Sequence, residues 1–357
     1  MIIGHGGNIH EVAHGLGCAP KDIIDMSSNM NPLGPPAGLM DHLRARLDTI
    51  FALPEADANR MKTAAAAWHQ ISTDRVLAGN GSTQFIYALP RALKTKRALI
   101  MAPTYADYTD ACRMESAPYD FIYTTAAENF GADINSLARK VSGFDTVFIC
   151  NPNNPTGRLI PGAELASLCR KHPETFFIID ESYLPFASDG DKESLVHTDL
   201  ENIVILSSMS KIFRIPGLRV GFVIGAADVI QKLAAYAMPW SVNSLAQEAT
   251  CYLLAQPAMT GFFIESTREF IAAEKHRFIE HFQDAPKIRF FPSETGFLLA
   301  ELKDLTADHV WTEMARHRFL IRNCRNFNGL SDKFIRISLK TAAENDKAAG
   351  ILKQIVR

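Results

Sequence analysis

S-S-M-S-K-I-F-R-I-P-G-L-R-V-G, Ser207 to Gly221, sets one lysine, Lys211, among the hydroxyls of Ser207, Ser208 and Ser210 and ahead of an arginine, Arg219. The apolar run Ile203-Val204-Ile205-Leu206 leads into it, and Val220-Gly221-Phe222-Val223-Ile224 follows Arg219. Short continuous apolar runs bounded by turn residues predict buried strands, so two strands deliver the lysine and its neighbours to one place. Burial disfavours the charged ammonium and lowers a lysine's pKa. A neutral amine is what a carbonyl-bearing cofactor needs to form a Schiff base. A surface lysine in a turn would need none of this flanking pattern.

The surroundings suit an enzyme. The chain has 357 residues, 47% hydrophobic and 21% charged, enough for one large or two modest domains. A net charge of −2 offers no basic field to nucleic acid or an anionic membrane. No apolar run approaches the roughly 20 residues of a membrane span, and Met1 to His5 lack the build of a signal peptide, so a cytoplasmic protein is expected. Six scattered cysteines form no C-x-x-C pair, and His5, His10 and His14 complete no recognisable metal spacing.

Between about Met61 and Gly225 helical patterns alternate with apolar runs at Ala98–Met101, Thr146–Ile149, Phe176–Ile179 and around Lys211. That alternation predicts a mostly parallel sheet covered on both faces, with ligands beyond the strands' carboxyl ends. The polar motifs fall at such ends. Gly79-Asn80-Gly81-Ser82-Thr83 precedes a helical stretch starting near Gln84 and reads either as an anion cradle or as a helix cap by Ser82. Pro103-Thr104-Tyr105 follows one run. Asn151-Pro152-Asn153-Asn154-Pro155-Thr156-Gly157 ends another in a rigid turn with room for a cis proline, which leaves Asn154 without a structural task. Asp180-Glu181-Ser182-Tyr183 ends a third, and a carboxylate there is costly unless paired.

After Asn243, helical patterns run to about Phe282. Strands are then expected at Ile288–Phe291, Gly296–Leu299 and Phe334–Leu339, with helices near Ala307–Arg318 and Thr341–Val356. Arg336 interrupts the last apolar strand, and Arg322 lies in Leu320-Ile321-Arg322-Asn323-Cys324, with Arg325 as a nearby competitor. Guanidinium groups suit bidentate recognition of carboxylate or phosphate, although a lone arginine is more often in a surface ion pair.

Taken together, the Lys211 segment, N-P-N-N-P-T-G and Asp180 to Tyr183 resemble the pyridoxal-phosphate (PLP) enzymes of fold type I, the aspartate-aminotransferase-like fold, over essentially the whole chain. The resemblance implies a large PLP-binding domain (46–245), a small α+β domain (246–357) and an N-terminal segment (1–45) packing with the latter. It implies a Schiff base on Lys211, Asp180 at the ring nitrogen, Asn154 and Tyr183 at the phenolic oxygen and Tyr105 stacked on the ring. Gly81, Ser82, Thr83, Ser208, Ser210 and Arg219 would then surround the cofactor phosphate. The openings His5-Gly6-Gly7-Asn8-Ile9 and Asn29-Met30-Asn31-Pro32-Leu33-Gly34, with Met238-Pro239-Trp240-Ser241-Val242-Asn243, resemble the L-threonine-O-3-phosphate decarboxylase branch of cobalamin biosynthesis. In that branch His5, Gly6, Asn29, Asn154, Arg322 and Arg336 would hold a doubly anionic substrate, and the product would be (R)-1-amino-2-propanol O-2-phosphate. Histidinol-phosphate aminotransferases share N-P-L-G, and Tyr183 leans toward them, since decarboxylases often carry phenylalanine there. A PLP-fold protein that binds without catalysis is a third reading, against which the retained Lys211 argues. Relatives are homodimers in which a tyrosine, just before the equivalent of Pro54, crosses to the partner's cofactor phosphate. This chain has Leu53 there, which cannot donate a hydrogen bond.

Overall fold

The computed structural model describes residues 6–357. Seven runs rich in Val, Ile, Leu and Phe form its larger sheet: β1 (Val76–Asn80), β2 (Ala98–Ala102), β3 (Tyr119–Tyr123), β4 (Thr146–Cys150), β5 (Phe176–Asp180), β6 (Ile203–Ser208) and β7 (Val220–Ile224). Their spatial order is β1-β7-β6-β5-β4-β2-β3. All run parallel except β7, which is antiparallel to both neighbours. The reversal matters for the site. Asn80 pairs with Val220 and Ser208 with Gly221, so the amino end of β7 shares the edge formed by the other strands' carboxyl ends.

Two strands escape the sequence reading. β3 (Y-D-F-I-Y) lies at the sheet's edge and is only half-buried, so it lacks a continuous apolar signal. β1 (V-L-A-G-N) ends in residues that read as a turn. The helix expected near Gln84 begins at Ser82, with Gly81 as its cap residue.

A four-stranded antiparallel sheet, β8 (Ile288–Phe290), β9 (Phe297–Leu302), β10 (Arg322–Asn323) and β11 (Phe334–Ser338), stands in the order β10-β11-β9-β8. Each sheet has its own apolar core. The helix Pro257–Glu280 spans both, burying Ile264 and Ile271 in the first and Phe278 in the second. Fully burying one such side chain contributes about 1.5–3 kcal/mol, so this helix ties the two sheets together. The amino-terminal segment is divided in the same way. Ile24–Asp25 pairs in parallel with Phe319–Leu320, while Leu39 and Leu43 enter the core of the larger sheet.

An apolar surface remains around residues 33–53 and 236–240, where Leu33, Met40, Leu47, Ile50, Phe51, Leu53, Met238 and Trp240 are exposed. The Trp240 amide donates to the Ala56 carbonyl at 2.9 Å, which sets the two stretches side by side. No helix among the described residues is long and apolar enough to cross a membrane.

Candidate active site

Two adjoining cavities open at the carboxyl edge of the larger sheet. The inner one, about 80 Å³, is bounded by Ser82, Thr83, Tyr105, Tyr108, Asp180 and Ser182, among others. The outer one, about 200 Å³, reaches Gly6, Ser27–Met30, Arg322 and Arg336. Tyr105, Asn154, Tyr183 and Lys211 border both, so these four side chains stand at the junction.

Lys211 follows β6 on the short helix Met209–Ile212 and is surrounded by protein while facing the cavities. Burial, the Arg219 guanidinium and, more weakly, Arg336 lower its pKa to about 8, against the opposing pull of Asp180. The lysine's main chain is pinned from outside: its carbonyl accepts from the Asn31 amide at 3.1 Å, and Asn31 Nδ2 donates to the Ile212 carbonyl at 2.7 Å.

Beside it is a seat shaped for an anion. Gly81 has φ +79°, and a Cβ there would lie 2.6 Å from Arg219 Nη2. A Cβ on Gly221 would lie 2.2 Å from the Ser82 amide nitrogen. Glycine is needed at both positions so that β7, the Arg219 guanidinium and the start of helix Ser82–Ala92 can converge. Ser208 pairs with Gly221 at the same edge. Ser210 is placed differently: its hydroxyl donates to the Val220 carbonyl at 3.3 Å and accepts from the Val220 amide at 3.4 Å, so it braces the hairpin.

Asp180, buried at the end of β5, accepts from Tyr108 Oη at 2.8 Å and from the Ser182 amide at 3.0 Å. Among the described residues, these donors answer the pairing question posed by the sequence. Tyr105 meets Tyr108 edge to face, with ring centres 5.9 Å apart. Tyr183 Oη accepts from Asn29 Nδ2 at 3.0 Å, and Asn29 Oδ1 accepts from Ser338 Oγ at 2.6 Å. Burial pushes the Tyr183 phenol up to about 12, so it stays protonated near neutral pH.

The outer cleft gathers cations. Arg322 and Arg336 are direct partners across β10 and β11. Arg336 is 4% exposed, donates to Asn154 Oδ1 and to the Ser27 carbonyl, and lies over the Phe297 ring at 5.2 Å. Arg322 lies over Phe327 at 5.0 Å and donates to Asn326 Oδ1 at 2.6 Å. Burial is the main cause that lowers the Arg322 pKa to about 10. Arg325, the sequence competitor, pairs with Asp308 at 2.6 Å on the exposed surface and does not border the cleft.

Gly6 borders the cleft, and a Cβ on it would lie 2.6 Å from the Ser27 carbonyl oxygen. His5 lies outside the described residues. Leu53 is 76% exposed. Sequence reasoning missed Tyr108, which lies on the helix Asp107–Met114 while Tyr105 sits in the loop before it. It also missed Lys340, whose Nζ donates to the Ser28 carbonyl at 3.2 Å, and the loop residues Asn326 and Phe327.

Comparison with known proteins adds the following. The family described as aminotransferase class I and II matches residues 21–352. The threonine-phosphate decarboxylase of Salmonella typhimurium is 31% identical over 99% of this chain and 96% of its own length. The adenosylcobalamin biosynthesis bifunctional protein CobDQ of Leptospira interrogans is 30% identical over 96% of this chain, which spans only 40% of that protein. Among solved structures, the L-threonine-O-3-phosphate decarboxylase of Porphyromonas gingivalis is 31% identical, with a TM-score of 0.84 over 92% of this chain and 98% of its own. The histidinol-phosphate aminotransferase of Clostridium acetobutylicum is 28% identical, with a TM-score of 0.85 over the same shares.

Proposed function

The chain belongs to the class I and II aminotransferase family, PLP enzymes of fold type I, and on that premise we propose that it decarboxylates L-threonine O-3-phosphate to (R)-1-amino-2-propanol O-2-phosphate in cobalamin biosynthesis. The residues present fit the cofactor. The glycine-lined seat at Gly81, Gly221 and Arg219 suits a phosphate, and Asp180 offers a buried anion to a ring nitrogen. Lys211, with its lowered pKa, suits attachment to a carbonyl carbon. When bound, the cofactor supplies an electron sink for the pair left on the substrate's α-carbon.

The chain's own residues supply the rest. Ser82, Thr83 and Arg219 would hold the phosphate, Asn154 and Tyr183 would face the phenolic oxygen, and Tyr105 would cover the ring. Lys211, titrating near 8, can hold or return a proton at its Nζ close to neutral pH. The observation that carries the substrate reading is the Arg322–Arg336 pair, two cations on neighbouring strands bordering one cleft. Such a pair matches a doubly anionic amino acid, with Arg336 at the carboxylate end and Arg322 joining it. Asn29 and Gly6 border the same cleft and would complete the contacts; His5 belongs to the same proposed set.

The test uses two arms. Carbon dioxide released from L-threonine O-3-phosphate without added keto acid is the expected result. Amino transfer from histidinol phosphate to 2-oxoglutarate, with no such release, would replace the decarboxylase by the aminotransferase reading. A homodimer belongs to the same proposal, supported by the large apolar side chains of Leu47, Ile50, Phe51 and Leu53, exposed within seven residues of chain. Light scattering should give twice the chain mass of 39.5 kDa, and a monomer would refute it.

A further inference from the structure

Asp180 is a buried carboxylate whose hydrogen-bond donors, among the described residues, are the Tyr108 hydroxyl at 2.8 Å and the Ser182 amide at 3.0 Å. The groups facing it are Lys211 across the cavity, Cys150, Glu181, Tyr105 and Tyr183. Tyr108 is held from every side. It is 1% exposed, stacks on Phe148 with ring centres 5.3 Å apart, and meets Tyr105 edge-on. Burial and the neighbouring Asp180 charge push its phenol well above the ordinary tyrosine value, so it remains a donor throughout the working pH range.

We propose that Tyr108 is a positioning residue for this reaction: its hydroxyl fixes Asp180 as an oriented anion and thereby keeps a proton on the cofactor's ring nitrogen. The inference rests on the reading of Asp180 as that nitrogen's partner. Each hydrogen bond accepted by a carboxylate stabilises its charged form and makes it a weaker base. With two donors in place, Asp180 leaves the shared proton on the nitrogen. With one removed, its proton affinity rises and the proton moves toward the carboxylate, which leaves the ring a poorer electron sink. The proton count is unchanged; only its position along the Asp180–nitrogen contact shifts.

Tyr108→Phe removes the hydroxyl and keeps the stacked ring. The holoenzyme, loaded with cofactor labelled at the ring nitrogen, would be read by ¹⁵N chemical shift, by cofactor dissociation constant and by kcat and KM separately. The expected result is a resonance displaced toward the unprotonated position, with kcat lower by about 10- to 100-fold and KM within about twofold. A variant with the wild-type resonance and kcat overturns the proposal while leaving Asp180 in its role. An unprotonated nitrogen in the wild type overturns the Asp180 reading and this proposal with it. Tyr108→Leu serves as the packing control. Loss of kcat in that variant alone, with Tyr108→Phe normal, would make Tyr108 a packing residue and overturn the proposal.

Discussion

The inner and outer cavities meet at Lys211 but are built differently. Among the described residues, those bounding the inner cavity run from Ser82 to Lys211, set at strand ends of one sheet or on the helices and turns that follow them. The outer cleft is bounded by Gly6 and Ser27–Met30 from one end of the chain and by Arg322, Asn326, Phe327 and Arg336 from the other. Cations tie those two ends together through backbone: Arg336 donates to the Ser27 carbonyl, and Lys340, behind the cleft lining, to the Ser28 carbonyl. Chemistry common to a family can sit in a frame that one sheet fixes. The proposed choice of substrate falls where distant segments converge, and there a change of one side chain would alter the fit without disturbing the larger sheet.

Substitutions can break this division or sharpen it. Lys211→Ala, at the junction, should give the largest effect: loss of activity by about 10³-fold or more and a colourless protein in which borohydride fixes no cofactor. An unchanged visible spectrum would remove Lys211 from the inner site. Arg336→Ala should come next. It strips a buried cation from Asn154 and Ser27, and kcat/KM should fall by about 100-fold, chiefly through KM, while cofactor binding is retained. If cofactor binding collapses too, the cavities are one unit and the division fails. Arg322→Ala, at the better solvated partner, should cost about tenfold in KM, and equal losses at both arginines would argue against their ranking.

The smallest effect concerns pH. Burial is the main cause that lowers Lys211 and Lys340 to about 8, whereas an unfolded lysine titrates near about 10.4. Between those values the unfolded chain binds more protons, so these lysines make apoprotein stability rise with pH, and their penalty is full below 8. Buried tyrosines such as Tyr183, raised to about 12, pull the other way. Wild type measured against Lys340→Met in urea isolates the term. The wild type should gain on the variant from pH 8 to 10, and parallel curves would show that Lys340 is not held as a costly buried cation.

Much of the inner cavity was legible because several of its residues directly follow continuous apolar runs bounded by turn residues, the pattern of a buried strand. Asp180 after Phe176–Ile179 and Asn154 after Thr146–Cys150 are of this kind. Tyr108 was not legible, because a tyrosine on a helix beside a phenylalanine gives no sign in sequence that its hydroxyl reaches a carboxylate on another strand. In the outer cleft the resemblance preferred Arg322 and Arg336 but left Arg325 as a competitor. The pairing of Arg322 with Arg336 and the diversion of Arg325 to Asp308 separate them. Strand β3 was lost for a simpler reason: half-buried at an edge, it mixes Asp120 with aromatics.

The contacts of Ser338 with Asn29 and of Arg336 with Ser27 each span 309 residues of chain. On the ribosome this separation becomes a timetable. Once Ile224 has emerged, every strand of the larger sheet and every residue bounding the inner cavity has been made. The outer cleft must wait for β11, more than a hundred residues later, and at about 5–20 residues per second that is a lag of several seconds or more. Through that interval the nascent chain carries the lysine and the anion seat proposed to hold the cofactor, while the arginine pair proposed to select the substrate has yet to be synthesised.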